Sequence, residues 1–123
     1  MSRILIAEDN AVNRELLREI LEAGDYEVIE AEDGEQALAK INAAKPDLVL
    51  LDINMPVLDG FATIRRLKQD QRFSTLPILA VTAYAMKEDR ETIIAAGFDG
   101  HITKPINATA LLQELQRVLS EPS

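Results

Sequence analysis

Cysteine is absent from the 123 residues. That excludes a disulfide framework and any zinc site built on thiolates, and it fits a reducing cytoplasm as the expected location. No apolar run approaches the length of a membrane span, and Met1-Ser2-Arg3 enters a short apolar stretch without the design of a secretory signal. Positive charge is in the minority, 13 basic against 21 acidic residues for a net charge of -8. Such a surface repels phosphate backbones, so direct nucleic-acid binding is not expected. Internal repeats and low-complexity segments are also missing, and only Ser120 to Ser123 resembles a tail. Hydrophobic residues make up 47% of the chain, enough for one compact core without staples. A soluble, single-domain protein is expected.

The residues alternate between two patterns. Short apolar runs occur at Ile4-Leu5-Ile6-Ala7, around Val28-Ile29, at Leu48-Val49-Leu50-Leu51, at Ile78-Leu79-Ala80-Val81 and around Ile102. The first, third and fourth lack polar alternation, as strands covered on both faces do. Helix-period segments lie between them. Val12, Leu16, Leu17, Ile20 and Leu21 form one apolar stripe, with Arg14, Glu15, Arg18, Glu19 and Glu22 on the solvent side and Gly24 at the end. Asp33 is placed to cap a second helix, with Gln36 at capping-box spacing and Ala37, Leu38 and Ile41 as its buried face. Asp59 caps a third helix that uses Phe61, Ile64 and Leu67. A fourth spans about Ala85 to Ala96, closed by Gly97 in a left-handed stop with Phe98 folding back onto Ile93. The fifth starts near Asn107 and buries Leu111, Leu112, Leu115 and Leu119. Five βα units in series predict an α/β domain with an open parallel five-stranded sheet and helices on both faces.

Ligands of such sheets bind beyond the carboxyl ends of the strands. The residues found there are Glu8 and Asp9, then Asp52, then Thr82, then Lys104. The second run ends in Glu30-Ala31-Glu32, which carries no evident role. An acidic residue after a strand is usually a cap or a solvated loop, and a single Thr or Lys says still less. Their convergence on one sheet edge is what points to chemistry. Three carboxylates together repel one another unless a cation lies between them, and oxygen ligands with room for water suit Mg²⁺ or Mn²⁺ rather than zinc. Lys104 adds an ammonium. Metal and ammonium would neutralise phosphoryl oxygens, the Thr82 hydroxyl would donate to one, and a carboxylate would be the nucleophile.

The segments Glu8-Asp9-Asn10, Asp52-Ile53-Asn54-Met55-Pro56-Val57-Leu58-Asp59-Gly60, Val81-Thr82-Ala83 and Lys104-Pro105 resemble the signature set of response-regulator receiver domains, in order and spacing, over essentially the whole chain. The resemblance implies a flavodoxin-like strand order 2-1-3-4-5 and a receiver domain over residues 1–123 with no output domain in this chain. It implies that Asp52 accepts a phosphoryl group from a phosphohistidine on a histidine kinase or histidine phosphotransfer protein. Glu8, Asp9 and Asp52 would hold the Mg²⁺, with the backbone carbonyl of Asn54 as a further ligand. Thr82 would be the switch hydroxyl, Lys104 would pair with the phosphoryl oxygens, and Ala83 would supply the small residue beside the entrance. Pro56 and Gly60 would shape the loop, and the peptide bond before Pro105 would be cis. A downstream protein would read the face of helix 4, strand 5 and helix 5, from a monomer or a weak, phosphorylation-dependent dimer. Where the family places its switch aromatic, three residues before the lysine, this chain has His101, either a switch residue in its own right or a half-buried residue filling space on the fifth strand.

Three rivals are weaker. An aspartate-nucleophile phosphatase of the haloacid dehalogenase type needs a second aspartate two residues after the first, where this chain has Asn54; a protein that is not a turnover enzyme is expected. A flavodoxin-like electron carrier needs a phosphate cradle where Glu8 and Asp9 stand. An EF-hand fails because Pro56 occupies a ligand position and Val57 the required glycine. A receiver excised from a hybrid kinase or longer regulator remains compatible with the residues.

Overall fold

The structure, a computed structural model, describes residues 2–83 and 86–120. Ala85, expected to begin the fourth helix, and residues 121–123 of the expected tail lie outside them. In chain order the elements are β1 (Arg3–Ala7), α1 (Ala11–Ala23), β2 (Glu27–Ala31), α2 (Gly34–Ala44), β3 (Leu48–Asp52), α3 (Gly60–Lys68), a 3₁₀ turn (Gln71–Phe73), β4 (Ile78–Thr82), α4 (Lys87–Ala95), β5 (Gly100–Thr103) and α5 (Ala108–Ser120). The five strands are parallel and lie in the order β2-β1-β3-β4-β5. Among the described residues no helix is long and apolar enough to cross a membrane.

The period of two in the central strands sorts their side chains onto two faces. Leu5, Ala7, Val49, Leu51, Ile78 and Ala80 pack with Ala37 and Ile41 of α2, Ile64 and Leu67 of α3 and Ile93 of α4. Ile4, Ile6, Leu48, Leu50, Leu79 and Val81 pack with Leu17 and Leu21 of α1 and Leu111, Leu115 and Val118 of α5. Every residue of β3 and β4 is buried, which is why these runs show no polar alternation. The edge strands β2 and β5 are only partly covered.

Caps set the helix starts. Asn10, Asp33 and Asp59 accept from the backbone N–H groups of Asn13, Gln36 and Ala62 at 3.0, 2.8 and 2.8 Å. Asn107 does the same for Ala110 at 2.9 Å. Each is worth about 1 kcal/mol. Gln36 reaches back to the N–H of Glu32 rather than to Asp33, one residue beyond the expected box. At the ends, Gly97 is left-handed (φ 108) and Phe98 N–H closes on the Ile93 carbonyl at 3.4 Å. Gly24 ends α1 with an ordinary φ of -89, and Asp25 takes the left-handed conformation instead.

Two expectations for α1 need correction. Only Leu17 and Leu21 are buried, Ile20 is partly covered, and Val12 and Leu16 are exposed, Val12 at 74%. The five apolar residues sweep a wide arc, and the sheet and α5 cover only the Leu17–Leu21 side of it. Arg14, expected in solvent, has a side chain only 15% exposed.

Two glycines let α3 close on its neighbours. A Cβ on Gly60 would stand 2.7 Å from the Asp52 carbonyl oxygen and 2.7 Å from the Ile53 Cα, so this glycine seats the start of α3 on the end of β3. A Cβ on Gly34 would come within 2.3 Å of both the Leu58 carbonyl oxygen and the Thr63 hydroxyl. Gly34→Ala is therefore expected to cost about 1–3 kcal/mol through overpacking, read as a lower denaturation midpoint with an unchanged m-value. An unchanged midpoint would mean that the Leu58 loop yields freely.

Candidate active site at the carboxyl edge of the sheet

Strand register gathers the polar residues. Ala7 is level with Leu51, so Glu8 and Asp52 follow side by side. Asp52 is level with Val81, and Thr82 with Thr103, immediately before Lys104. Glu8 and Asp52 are almost completely buried, at 1% and 2% exposure, while Asp9 is exposed. One carboxylate oxygen from each of Glu8, Asp9 and Asp52 lies within 4.8 Å of the others. The Asp52 Oδ1 accepts from Asn54 N–H at 2.9 Å and its Oδ2 from Lys104 Nζ at 3.0 Å. Glu8 Oε1 accepts from Asn10 N–H at 3.2 Å. Glu8 Oε2 lies 3.3 Å from Lys104 Nζ in an ion pair, and among the described residues no group donates a hydrogen bond to this buried oxygen.

The electrostatics follow from this crowding. Burial, then a hydrogen bond to Asp52 and the Asp52 charge, push the Glu8 carboxyl up to about 7, against the opposing pull of Lys104 and the Asn10 N–H. Burial pulls the Lys104 ammonium down, but the hydrogen bond and charge of Asp52, reinforced by Glu8, outweigh it and leave the group raised. With all groups ionised, three carboxylates face one ammonium. An all-oxygen donor set, an excess of negative charge and a buried carboxylate oxygen that accepts no hydrogen bond among the described residues fit a hard divalent cation.

Of the remaining expected residues, Asn54 meets the cluster through its backbone N–H. Asn54 is exposed, two residues past Asp52. Pro56 and Ala83 are exposed on their loops, and the Lys104–Pro105 bond is cis. Val57 adopts a left-handed φ of 68, a strained conformation for a β-branched residue, directly after Pro56. Thr82 is buried, and β-alternation turns it to the face opposite Val81. There it lines a cavity of about 150 Å³ with Ile53, Phe61, Asp89, Thr92 and Ile93. His101 is level with Ala80 and half-buried, in a groove of about 550 Å³ against Lys87, Arg90, Glu91, Ile94 and Ala95. It faces α4 and makes no part of the carboxylate cluster.

One participant escaped the sequence pattern. Arg14 Nη1 donates to the Glu8 carbonyl oxygen at 2.9 Å. An arginine one turn into an amphipathic helix reads as a solvent residue, and nothing in linear spacing marks it otherwise.

The raised Glu8 pKa has a definite sign. A carboxyl near 4.5 in the unfolded chain and about 7 in the folded one contributes stability that is complete below pH 4.5 and disappears as pH rises through 7. In EDTA, Glu8→Gln should match the parent near pH 4.5. It should exceed the parent above pH 7 by an amount on the order of 3 kcal/mol, from ~2.5 pK units at 1.36 kcal/mol each. Urea unfolding at both pH values measures the difference. Parallel stability profiles would mean that Glu8 is already ionised in the folded, metal-free protein.

Comparison with known proteins places this geometry in a family. Residues 4–116 match the family model described as the response regulator receiver domain. The chain is 36% identical over 118 residues to the polar-differentiation response regulator DivK of Brucella anthropi, covering 96% of each chain. Its fold superposes on the Vibrio cholerae chemotaxis protein CheY4 with a TM-score of 0.90 at 35% identity, over 96% of this chain and 98% of the other. It also superposes on the receiver domain of the sensor histidine kinase PA1611 of Pseudomonas aeruginosa, solved with a magnesium ion coordinated in its active site cleft. That match has a TM-score of 0.90 at 33% identity and covers 98% of both chains. With the strand order, the acidic cluster and these relatives in agreement, the chain belongs to the response-regulator receiver domain family.

Proposed function

We propose that Asp52 is the phosphoacceptor of this receiver, taking its phosphoryl group from a phosphohistidine of a histidine kinase or histidine phosphotransfer protein. The observation that carries this reading is the state of the Asp52 carboxylate, buried at a strand end with one oxygen held by Lys104 and two further carboxylates beside it. An oxygen of Asp52 attacks phosphorus, the new P–O bond forms as the P–N bond breaks, and the electron pair returns to the departing imidazole. Lys104 would offset the charge of the phosphoryl oxygens, and the Thr82 hydroxyl would move out of the α4-side cavity to donate to one of them. Glu8, Asp9, Asp52 and the Asn54 carbonyl would hold Mg²⁺ or, in its place, Mn²⁺. When bound, the ion neutralises the phosphoryl charge and screens the carboxylates from one another.

The chain then acts as a switch rather than as a turnover enzyme. The position two residues past Asp52 is Asn54, whose amide cannot protonate a leaving group as a general acid would. Residues 1–123 are read as one receiver unit whose output is contact with another protein through α4, β5 and α5. Ala83 leaves the phosphoryl position accessible, and Pro56, Gly60 and Pro105 shape the loops around it. His101, in the groove against α4, would carry the state of Thr82 to that surface.

With Mg²⁺ and a small acyl phosphate, the protein should gain one acid-stable, base-labile phosphoryl group, and EDTA should prevent it. Asp52→Asn should abolish labelling; undiminished labelling of that variant would overturn the assignment. A second comparison separates chemistry from switching. Thr82→Ala should still accept phosphate while its phosphorylation-dependent partner binding weakens, and Lys104→Ala should be impaired in both. Normal phosphorylation-dependent binding by Thr82→Ala would move the switch to another residue.

A further inference from the structure

The Glu30-Ala31-Glu32 segment, which the receiver chemistry leaves without a task, brackets the metal-facing turn. The backbone of Glu8 is held on both sides. Its N–H donates to the Ala31 carbonyl at 3.1 Å, and its carbonyl accepts from Arg14 Nη1 at 2.9 Å. Arg14 is in turn anchored by the two residues flanking Ala31, with Nε 3.3 Å from Glu30 Oε1 and Nη2 3.6 Å from Glu32 Oε1. Glu30 is itself fastened, its Oε2 2.6 Å from Arg18 Nη1 and its carbonyl accepting from Lys40 Nζ. The Arg14 side chain is 15% exposed, against 46% for Arg18 one turn further on. Three directions of the planar guanidinium fork are thus in use, a geometry that a lysine ammonium cannot reproduce.

We infer that Arg14, anchored by Glu30 and Glu32, is a positioning residue that clamps the Glu8-Asp9 turn in its metal-binding geometry. The inference rests on the proposed reading of Glu8 and Asp9 as metal ligands. The turn between β1 and α1 comprises only Glu8, Asp9 and Asn10, and it carries two of the three mutually repelling carboxylates. Repulsion favours spreading this turn away from Asp52 whenever no cation is bound. Spreading it requires moving the Glu8 backbone, and the bonds to its N–H and to its carbonyl resist. Groups that orient metal ligands commonly change affinity by 10- to 100-fold when removed.

The sign of the effect separates positioning from simple charge. If Arg14 acted only as a nearby cation, its neutralisation would tighten binding of a divalent ion by relieving repulsion. A clamp predicts the reverse. Titration calorimetry with MgCl₂ on the full chain should show affinity lowered about 10-fold in Arg14→Gln. Arg14→Lys, which keeps the charge and loses the fork, should fall in the same direction and covers the case in which Arg14→Gln does not fold. Unchanged or tighter Mg²⁺ binding in the folded variants would overturn the clamp.

Amide hydrogen exchange in metal-free protein gives an independent reading. The Glu8 amide should exchange about 10-fold faster in Arg14→Lys, while the Val49 amide, bonded to the Pro77 carbonyl at the opposite sheet edge, keeps its rate. Equal acceleration at both amides would show general destabilisation and would also overturn the clamp. A parent protein that does not bind Mg²⁺ would remove the metal reading, and the exchange comparison would still decide whether Arg14 holds the turn.

Discussion

Like-charge repulsion at the carboxyl edge of the sheet is the constraint around which the rest of the molecule is arranged. Two carboxylates are buried side by side with a third exposed beside them, and among the described residues a single ammonium compensates, Lys104 between Asp52 and Glu8. Left to themselves these groups would separate or take up a proton; burial first, and then the neighbouring Asp52, push the Glu8 carboxyl up. The apolar body has to hold them together. Fully buried β3 and β4, seated between two hydrophobic layers, provide a frame that the repulsion cannot spread.

The same frame separates two tasks by a single step in strand register. Val81 belongs to the layer under α1 and α5, where the alternation of β1 and β3 also directs Glu8 and Asp52. Thr82, the next residue, turns into the small cavity between β4, α3 and α4. Asp52 is therefore adjacent to one face of the sheet, while the buried Thr82 faces the other. His101 shares that second face, beyond Ala80 and against α4. One residue of β4 therefore separates the layer beside the acidic cluster from the α4 side.

Much of this was readable in the linear pattern, and the reasons are local. Uninterrupted apolar runs at Ile4–Ala7, Leu48–Leu51 and Ile78–Val81 gave the central strands because burial on both faces removes polar alternation. Asp33, Asp59 and Gly97 marked helix boundaries because capping and left-handed stops depend on a few neighbouring residues. What misled was any question of which side of a helix is covered. Five apolar residues of α1 suggested one broad buried stripe, yet Val12 and Leu16 remain exposed, since the neighbouring layer and not the helix decides how much of the arc is used. Arg14 failed for the complementary reason. Its polar character predicts solvent, whereas its partners come from the Glu8 backbone, from Glu30 in β2 and from Glu32 just past that strand, 16 and 18 residues away along the chain.

By itself, then, the sequence determined the αβ alternation, the residue types standing after each strand and hence the excess of acid over base at one edge, because these depend on periodicity and order alone. Tertiary structure decided the quantities that depend on distance through space. Those are the 4.8 Å gathering of three carboxylates, the buried Glu8 oxygen that accepts no hydrogen bond among the described residues, the side of β4 on which Thr82 stands, and the bracket from β2 through Arg14 to the Glu8 backbone. Each of these joins residues from different βα units, and only packing of the finished sheet fixes how far apart such residues lie.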